Sequence, residues 1–239
     1  MEPASEDAPE HCRVYGRILP DIRFAVFLPT DWNGRLSMVG NGGWAGSIPE
    51  GRMGFALREG SVSVGTDTGH DGRRELGGIF TLDRQKMIDF AYRSVHLTVE
   101  AAKQITASYY ASPIQYSYFV GCSTGGRQGL TAAQRFPADF DGILVGAPIL
   151  DWVGEQLAGA WEARIMERAA ISVEQLEILA AAVYEKCDGS DGLEDGVIEH
   201  PPACAFDLAT DRPSTPAAWS GRKCSLKTGM AGSVPGSGL

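Results

Sequence analysis

The chain is expected to fold as an α/β protein built on a mostly parallel sheet with flanking helices. Three observations carry that reading. Apolar residues fall at strand period in Ile22, Phe24, Val26 and Leu28. The period switches to a helical face at Ile88, Ala91, Val95, Val99, Ala102 and Ile105. Short apolar runs then alternate with helical stretches, the pattern of a parallel sheet joined by crossover helices. In chain order, Leu36–Val39 is a short strand that enters the glycine-rich run Gly40–Gly46. Ser61–Gly65 is a buried strand, Met87–Tyr109 a helix and Tyr116–Val120 a strand. A helix is expected from about Arg127 to Phe136, closed by Pro137. Gly142–Gly146 reads as a strand covered on both faces. Beyond Trp152 the pattern becomes helical, at 155–168 and 173–186, and then gives way to a loop rich in Cys, Asp and Gly.

The 239 residues fit one large domain, or one domain with part of a second. A net charge of −9 and the lack of any Lys/Arg run argue against a nucleic-acid partner. No stretch approaches the roughly 20 apolar residues of a membrane helix, so no membrane partner is expected. The start, Met1 to Asp7, is polar and acidic, unlike a signal peptide. Residues 1–11 read as a disordered lead and 214–239, rich in Ser, Gly, Pro and Lys, as a disordered tail. Five cysteines, Cys12, Cys122, Cys187, Cys204 and Cys224, leave at least one unpaired within the chain.

Gly121-Cys122-Ser123-Thr124-Gly125 matches the G-x-S-x-G nucleophile elbow. The pattern is short, and its context gives it weight: a strand precedes it and a helix follows, as in an α/β-hydrolase. The two glycines permit a sharp turn that lifts the Ser123 hydroxyl above the sheet edge. The Thr124 N–H then sits at a helix N-terminus, where it can donate to an oxyanion. A second donor is expected from Asn41-Gly42-Gly43-Trp44, with Gly43 preferred over Gly42. Cys122 is an unpromising nucleophile, because the side chain before the serine of an elbow points away from the active-site opening. The competing reading is a glycine-rich βα turn without chemistry.

In this fold the partners follow the serine in the order Asp or Glu, then His. The only later histidine is His200, in Glu199-His200-Pro201-Pro202. His11, His70 and His96 precede Ser123, and His96 reads as a packed or surface histidine of the long helix. No credible general base is visible, and a serine hydroxyl without one is a weak nucleophile at neutral pH.

Tyr118–Leu130 (YFVGCSTGGRQGL) and Gln134–Pro148 (QRFPADFDGILVGAP) resemble the tannase/feruloyl esterase family, which includes mono(2-hydroxyethyl) terephthalate hydrolases. Trp32–Arg35 (WNGR), Gly40–Gly46 (GNGGWAG) and Asp67–His70 (DTGH) extend the likeness, which runs from about Cys12 to about Cys204. The resemblance implies an α/β-hydrolase core with a lid inserted after the elbow region, and a Ser-Asp-His triad. It implies a small aromatic ester substrate (feruloyl, galloyl or similar) and a secreted or periplasmic protein. It also implies a disulfide from the cysteine beside the serine to one beside the catalytic histidine. Cys122 matches the first of these; no segment matches the second cysteine, the aspartate or the histidine.

Cys187–Val197 places carboxylates at Asp188, Asp191 and Asp195 between glycines. With carbonyls of Leu193 and Val197 the spacing suits a hard cation, and suits solvated Asp-Gly turns equally well. The resemblance favours structural calcium in this lid loop, with Cys187 and Cys204 closing it as a disulfide. The expected organisation is a disordered lead (1–11), the first part of an incomplete α/β-hydrolase core (12–151), a partial lid (152–213) and a tail (214–239). The expected function is serine-based hydrolysis of aromatic acyl esters through an acyl-enzyme. The alternatives are a truncated, inactive or purely binding relative, and an esterase that recruits His200 as its base.

Overall fold

A computed structural model describes residues 1–5 and 8–211. The tail and Cys224 lie outside the described residues. Six strands form one sheet: β1 (His11–Ile18), β2 (Ile22–Pro29), β3 (Arg35–Val39), β4 (Val62–Thr66), β5 (Tyr116–Cys122) and β6 (Gly142–Gly146), in spatial order β1-β2-β4-β3-β5-β6. The first hairpin and the β2–β4 pair are antiparallel, and β4-β3-β5-β6 run parallel. Parallel neighbours need crossovers, and three helical segments supply them. These are α1 (Glu50–Arg58) between β3 and β4, a long helical run between β4 and β5, and α4 (Thr124–Arg135) between β5 and β6. The long run comprises α2 (Arg84–Ile88), a π-helical turn (Asp89–Arg93) and α3 (Ser94–Tyr110).

The sheet is packed on both faces. On one, Val95, Val99 and Ala102 of α3 and Ala132 of α4 bury against Val26, Met38, Val64 and Phe119. On the other, Met53 and Leu57 of α1 meet Ala25, Phe27 and Val39. The central strand β4 is buried at all five positions.

The expected α/β class and mostly parallel sheet are present. Element ends moved by a few residues, and three features differ from the sequence reading. Strand β1 was not predicted. Its buried-side positions, Cys12, Val14, Gly16 and Ile18, include a glycine, and between them stand Arg13, Tyr15 and Arg17. Ahead of it, Glu2 pairs with His11 through two backbone hydrogen bonds of 2.8 and 3.1 Å. Helix α1 was missed because Gly51 and Gly54 weaken its helical signal. Strand β6 is not covered on both faces among the described residues: Leu144 is 67% exposed, because β6 is the last strand of the sheet.

The chain divides into two compact units, Met1–Gln156 and Leu157–Leu239. The division falls inside α5 (Trp152–Arg168). In the second unit α6 (Val173–Cys187) starts at a capping box, where Ser172 and Gln175 exchange side-chain and backbone hydrogen bonds. Among the described residues no helix is long and apolar enough to cross a membrane.

Candidate active site

Strand β5 delivers the chain to Ser123, and α4 starts at the next residue. The alternation along β5 buries Ser117, Phe119 and Gly121 and turns Tyr116, Val120 and Cys122 outward. Ser123 sits at φ +61° and ψ −120°. A side chain with positive φ is strained, so the surroundings must hold it there. The Ser123 N–H donates to the Gly146 carbonyl at 3.1 Å, and its own carbonyl accepts the Arg127 N–H at 3.1 Å. Among the described residues its hydroxyl has no hydrogen-bond partner.

Glycines let α4 lie against the strand ends. A Cβ on Gly121 would meet the Gly125 carbonyl oxygen at 2.3 Å, and one on Gly40 would meet the Gly125 Cα at 2.6 Å. The Gly40–Gly46 loop therefore runs beside the first turn of α4. There Thr124 is fully buried, and its hydroxyl donates to the Gly43 carbonyl at 2.6 Å. Gly43 is exposed with φ +53°. Among the described residues the N–H groups of Thr124, Gly42 and Gly43 have no acceptor. The two N–H groups that the sequence reading proposed as oxyanion donors thus stand on segments joined by the Thr124 hydroxyl, without an acceptor among the described residues.

The four histidines have other partners or surroundings. His11 bonds the Pro9 carbonyl at 2.7 Å and accepts from Arg13. His96 bonds Asp139 at 3.0 Å and stacks on Phe136 at 4.0 Å. His200 is exposed and belongs to the second unit. His70 is 3% exposed, stacked on Phe80 at 3.8 Å, with Nδ1 3.4 Å from the Thr68 hydroxyl. Burial pushes the His70 pKa below the ordinary histidine value, against opposing pulls from the Trp44 backbone, Glu75 and Asp67. The unfolded chain therefore binds the proton more readily than the native one. Stability from His70 is present above the unfolded value of about 6.5 and is lost as pH falls below it, through the lower native value. Urea midpoints are expected to fall between about pH 7 and pH 5, with a shallower decline in His70→Gln. An identical slope in that variant would refute this source.

Sequence reading missed the polar groups that support the site. Asp67, 1% exposed, accepts from Arg23 Nε at 2.6 Å, from the Arg23 N–H at 2.9 Å and from the Gly69 N–H at 2.8 Å. Arg127 lies over the rings of Phe90 and Trp152, at 4.7 and 5.5 Å. It also donates to the carbonyls of Ala91 and Phe90 at the π-helical turn. Gln128 is buried against Asn41. The available signal was a polar residue on the buried stripe of α4, formed by Gly125, Gln128, Gly129 and Ala132. Cys122 is exposed and has no disulfide partner among the described residues. It lines a cavity of about 670 Å³ with Val39, Phe55, Val120 and Leu144, and Ser123 is not among the lining residues.

In the second unit Cys187 and Cys204 form a disulfide. Within the loop they close, Asp188 accepts from the Gly196 N–H at 3.0 Å, Asp191 from Leu193 at 2.9 Å and Asp195 from Val197 at 3.1 Å. The donor chemistry, carboxylates and carbonyls on a curled loop, fits calcium in kind. Its oxygens are not gathered: among the described residues no three His, Cys, Asp or Glu side chains form a metal-holding group.

The family model described as tannase and feruloyl esterase matches residues 7–228. A mono(2-hydroxyethyl) terephthalate hydrolase of Piscinibacter sakaiensis is 35% identical over 84% of this chain and 40% of its own length. Feruloyl esterase B of Aspergillus niger is 39% identical over 75% of this chain and 35% of its own. Among solved structures, feruloyl esterase B of Aspergillus oryzae superposes with a TM-score of 0.71 at 32% identity, covering 83% of this chain and 41% of that one. Tannin acyl hydrolase of Aspergillus niger gives 0.66 at 26% identity, covering 87% and 42%. The chain thus spans about two fifths of the length of such relatives.

Proposed function

The chain belongs to the tannase and feruloyl esterase family, and from that premise we propose that it is the nucleophile-bearing part of a serine esterase for aromatic acyl esters. The observation that carries the reading is Ser123 at an elbow with φ +61°, its hydroxyl unengaged, beside free N–H groups at Thr124 and Gly43. In the proposed reaction Ser123 Oγ forms a bond to the ester carbonyl carbon and gives up its proton to a base. The carbonyl oxygen takes negative charge between the Thr124 and Gly43 N–H groups. The carbon–oxygen bond to the alcohol then breaks, the alcohol leaves with a proton, and water releases the acid from the acyl-enzyme. Aromatic acyl groups are suggested by what the relatives named above act on. No histidine among the described residues bonds Ser123, so the base and its carboxylate are proposed to come from the part of the family's length that this chain does not span. Secretion is proposed on the same likeness to fungal feruloyl esterases.

The test is release of nitrophenol from nitrophenyl ferulate by the 239-residue chain, with intact-mass detection of acylated Ser123. Acylation of Ser123 with slow release that added imidazole accelerates, both absent in Ser123→Ala, is the expected result, because the base is proposed to lie outside this chain. Equal release by that variant would remove the elbow assignment. No acylation, with or without added imidazole, would leave a non-catalytic relative.

We further propose that Asp188, Asp191 and Asp195, with the Leu193 and Val197 carbonyls, take a structural calcium ion. Calcium is expected to raise the melting temperature, by the equivalent of about 2.7 kcal/mol at a free concentration 100 times Kd. A chelator should reverse the shift and Asp188→Ala should abolish it. Equal melting with calcium and with chelator would discard the site.

A further inference from the structure

A buried amide pair joins the loop of Gly43 to the helix of Thr124, and the proposed reaction does not use it. Gln128 lies on α4 with 2% of its surface exposed. Its Oε1 accepts the Asn41 N–H at 2.9 Å, and its Nε2 donates to Asn41 Oδ1 at 3.1 Å. The Asn41 carbonyl accepts the Gly125 N–H at 2.8 Å. Asn41 Nδ2 donates outward, to the Thr66 carbonyl at the end of β4 (2.8 Å) and to the Ser47 carbonyl (3.2 Å). Every polar group of Asn41 is therefore engaged: three contacts reach α4, and two reach the other side of the loop. Two residues further on, the Thr124 hydroxyl holds the Gly43 carbonyl at 2.6 Å.

An apolar side chain at 128 would fill the same stripe of the helix and would strand the Asn41 N–H and Oδ1 without partners. A fully satisfied polar network inside a core instead fixes one arrangement of the groups it joins. Here the groups joined are the two supports of the free N–H donors. Thr124 carries one donor and Gly43 the other, and the Asn41–Gln128 pair sets the loop against the helix at one end while the Thr124 hydroxyl sets it at the other. An oxyanion hole works only if its donors are already in place, and a displacement of about 1 Å can cost a hundredfold in rate.

We propose that Gln128 and the Thr124 hydroxyl are positioning residues for the oxyanion hole, acting through Asn41 and Gly43 and touching no substrate themselves. The inference rests on the serine-esterase reading above. Its test uses phenylboronic acid on the whole 239-residue chain. Serine Oγ adds to the trigonal boron, its proton passes to the buffer, and the boron becomes a tetrahedral anion that occupies the oxyanion site. Boron NMR reports that geometry, and titration gives Kd without requiring turnover. In Gln128→Met, folded as judged by melting, Kd is expected to rise about 30-fold or more. Thr124→Val is expected to weaken binding about 10-fold, with Thr124→Ser restoring it to within about 3-fold, because serine keeps the hydroxyl. If Gln128→Met does not fold, the Thr124→Val and Thr124→Ser pair decides alone. Unchanged Kd in the folded variants, or equal weakening in Thr124→Val and Thr124→Ser, overturns the inference and leaves the esterase reading standing. No Ser123-dependent adduct in the unsubstituted chain overturns the esterase reading, and this inference with it.

Discussion

Ser123→Gly is expected to be more stable than Ser123→Ala by about 1 kcal/mol, while both lose all Ser123-dependent ester cleavage. Ser123 holds φ +61° and ψ −120°, a region that disfavours any residue with a Cβ by roughly 1–3 kcal/mol. Alanine keeps that strain and gives up a hydroxyl with no hydrogen bond among the described residues, so its stability should match the parent within about 0.5 kcal/mol. Glycine relieves the strain and gives back about 0.5–1 kcal/mol through the greater freedom of its unfolded chain. The difference between the two variants isolates the backbone term, because neither has a nucleophile. The backbone bonds from the Ser123 N–H to Gly146 and from Arg127 to the Ser123 carbonyl survive both changes. Urea denaturation of the two variants in one buffer gives the comparison. A Ser123→Gly variant no more stable than Ser123→Ala would mean that the elbow is not strained, and that the serine is held up by something other than its neighbours' backbone.

The elbow was legible because its signals are local. A strand, a glycine on each side of the serine and a helix all fall within Tyr116–Arg135, and the physics that joins them is steric. The sheet was legible for a related reason: the antiparallel β2 and the parallel β4 carry apolar residues at period two, and β5 is a short run of aromatic and β-branched residues. The network under the site was not legible, because it is built from contacts far apart in sequence. Gln128 and Asn41 are 87 positions apart, and Arg23 and Asp67 are 44 apart. Each was visible only as a polar residue in or beside an apolar stretch. Spacing also could not say whether the Asp188–Asp195 carboxylates gather around an ion or serve backbone N–H groups. Each accepts a backbone N–H, from Gly196, Leu193 and Val197, and each carboxylate has further lone pairs to offer an ion. Solvent-side strands were the other blind spot. In β1 one face alternates Arg13, Tyr15 and Arg17, and its pairing with β2 is set by the hairpin as much as by burial.

Gly121→Ala is expected to destabilise the first unit by about 3 kcal/mol or more. The new methyl group would stand 2.3 Å from the Gly125 carbonyl oxygen, 2.5 Å from its carbon and 2.8 Å from a ring carbon of Phe119. Two of those three atoms are backbone, so no rotamer change relieves the contact. Either α4 moves away from β5 or the strand end shifts. Both responses break the bonds that α4 makes to the loop, from Gly125 to Asn41 and from Thr124 to Gly43. The substitution should therefore weaken phenylboronate binding in whatever fraction of the protein stays folded. Two other glycines serve as controls. A Cβ on Gly51 of α1 meets nothing within 4 Å, and its φ is not in the left-handed region, so Gly51→Ala should stabilise by about 0.5–1 kcal/mol through helix propensity. Gly43 also has open space, but its φ is +53°, so Gly43→Ala should cost about 1 kcal/mol from backbone strain alone. The expected order of urea midpoints is Gly51→Ala, parent, Gly43→Ala, then Gly121→Ala. If Gly121→Ala falls with Gly43→Ala, the helix tolerates displacement from the strand. The close approach of α4 would then not be what holds Ser123 upright, and the shared geometry of Ser123 and the Thr124 and Gly43 N–H groups would need another cause.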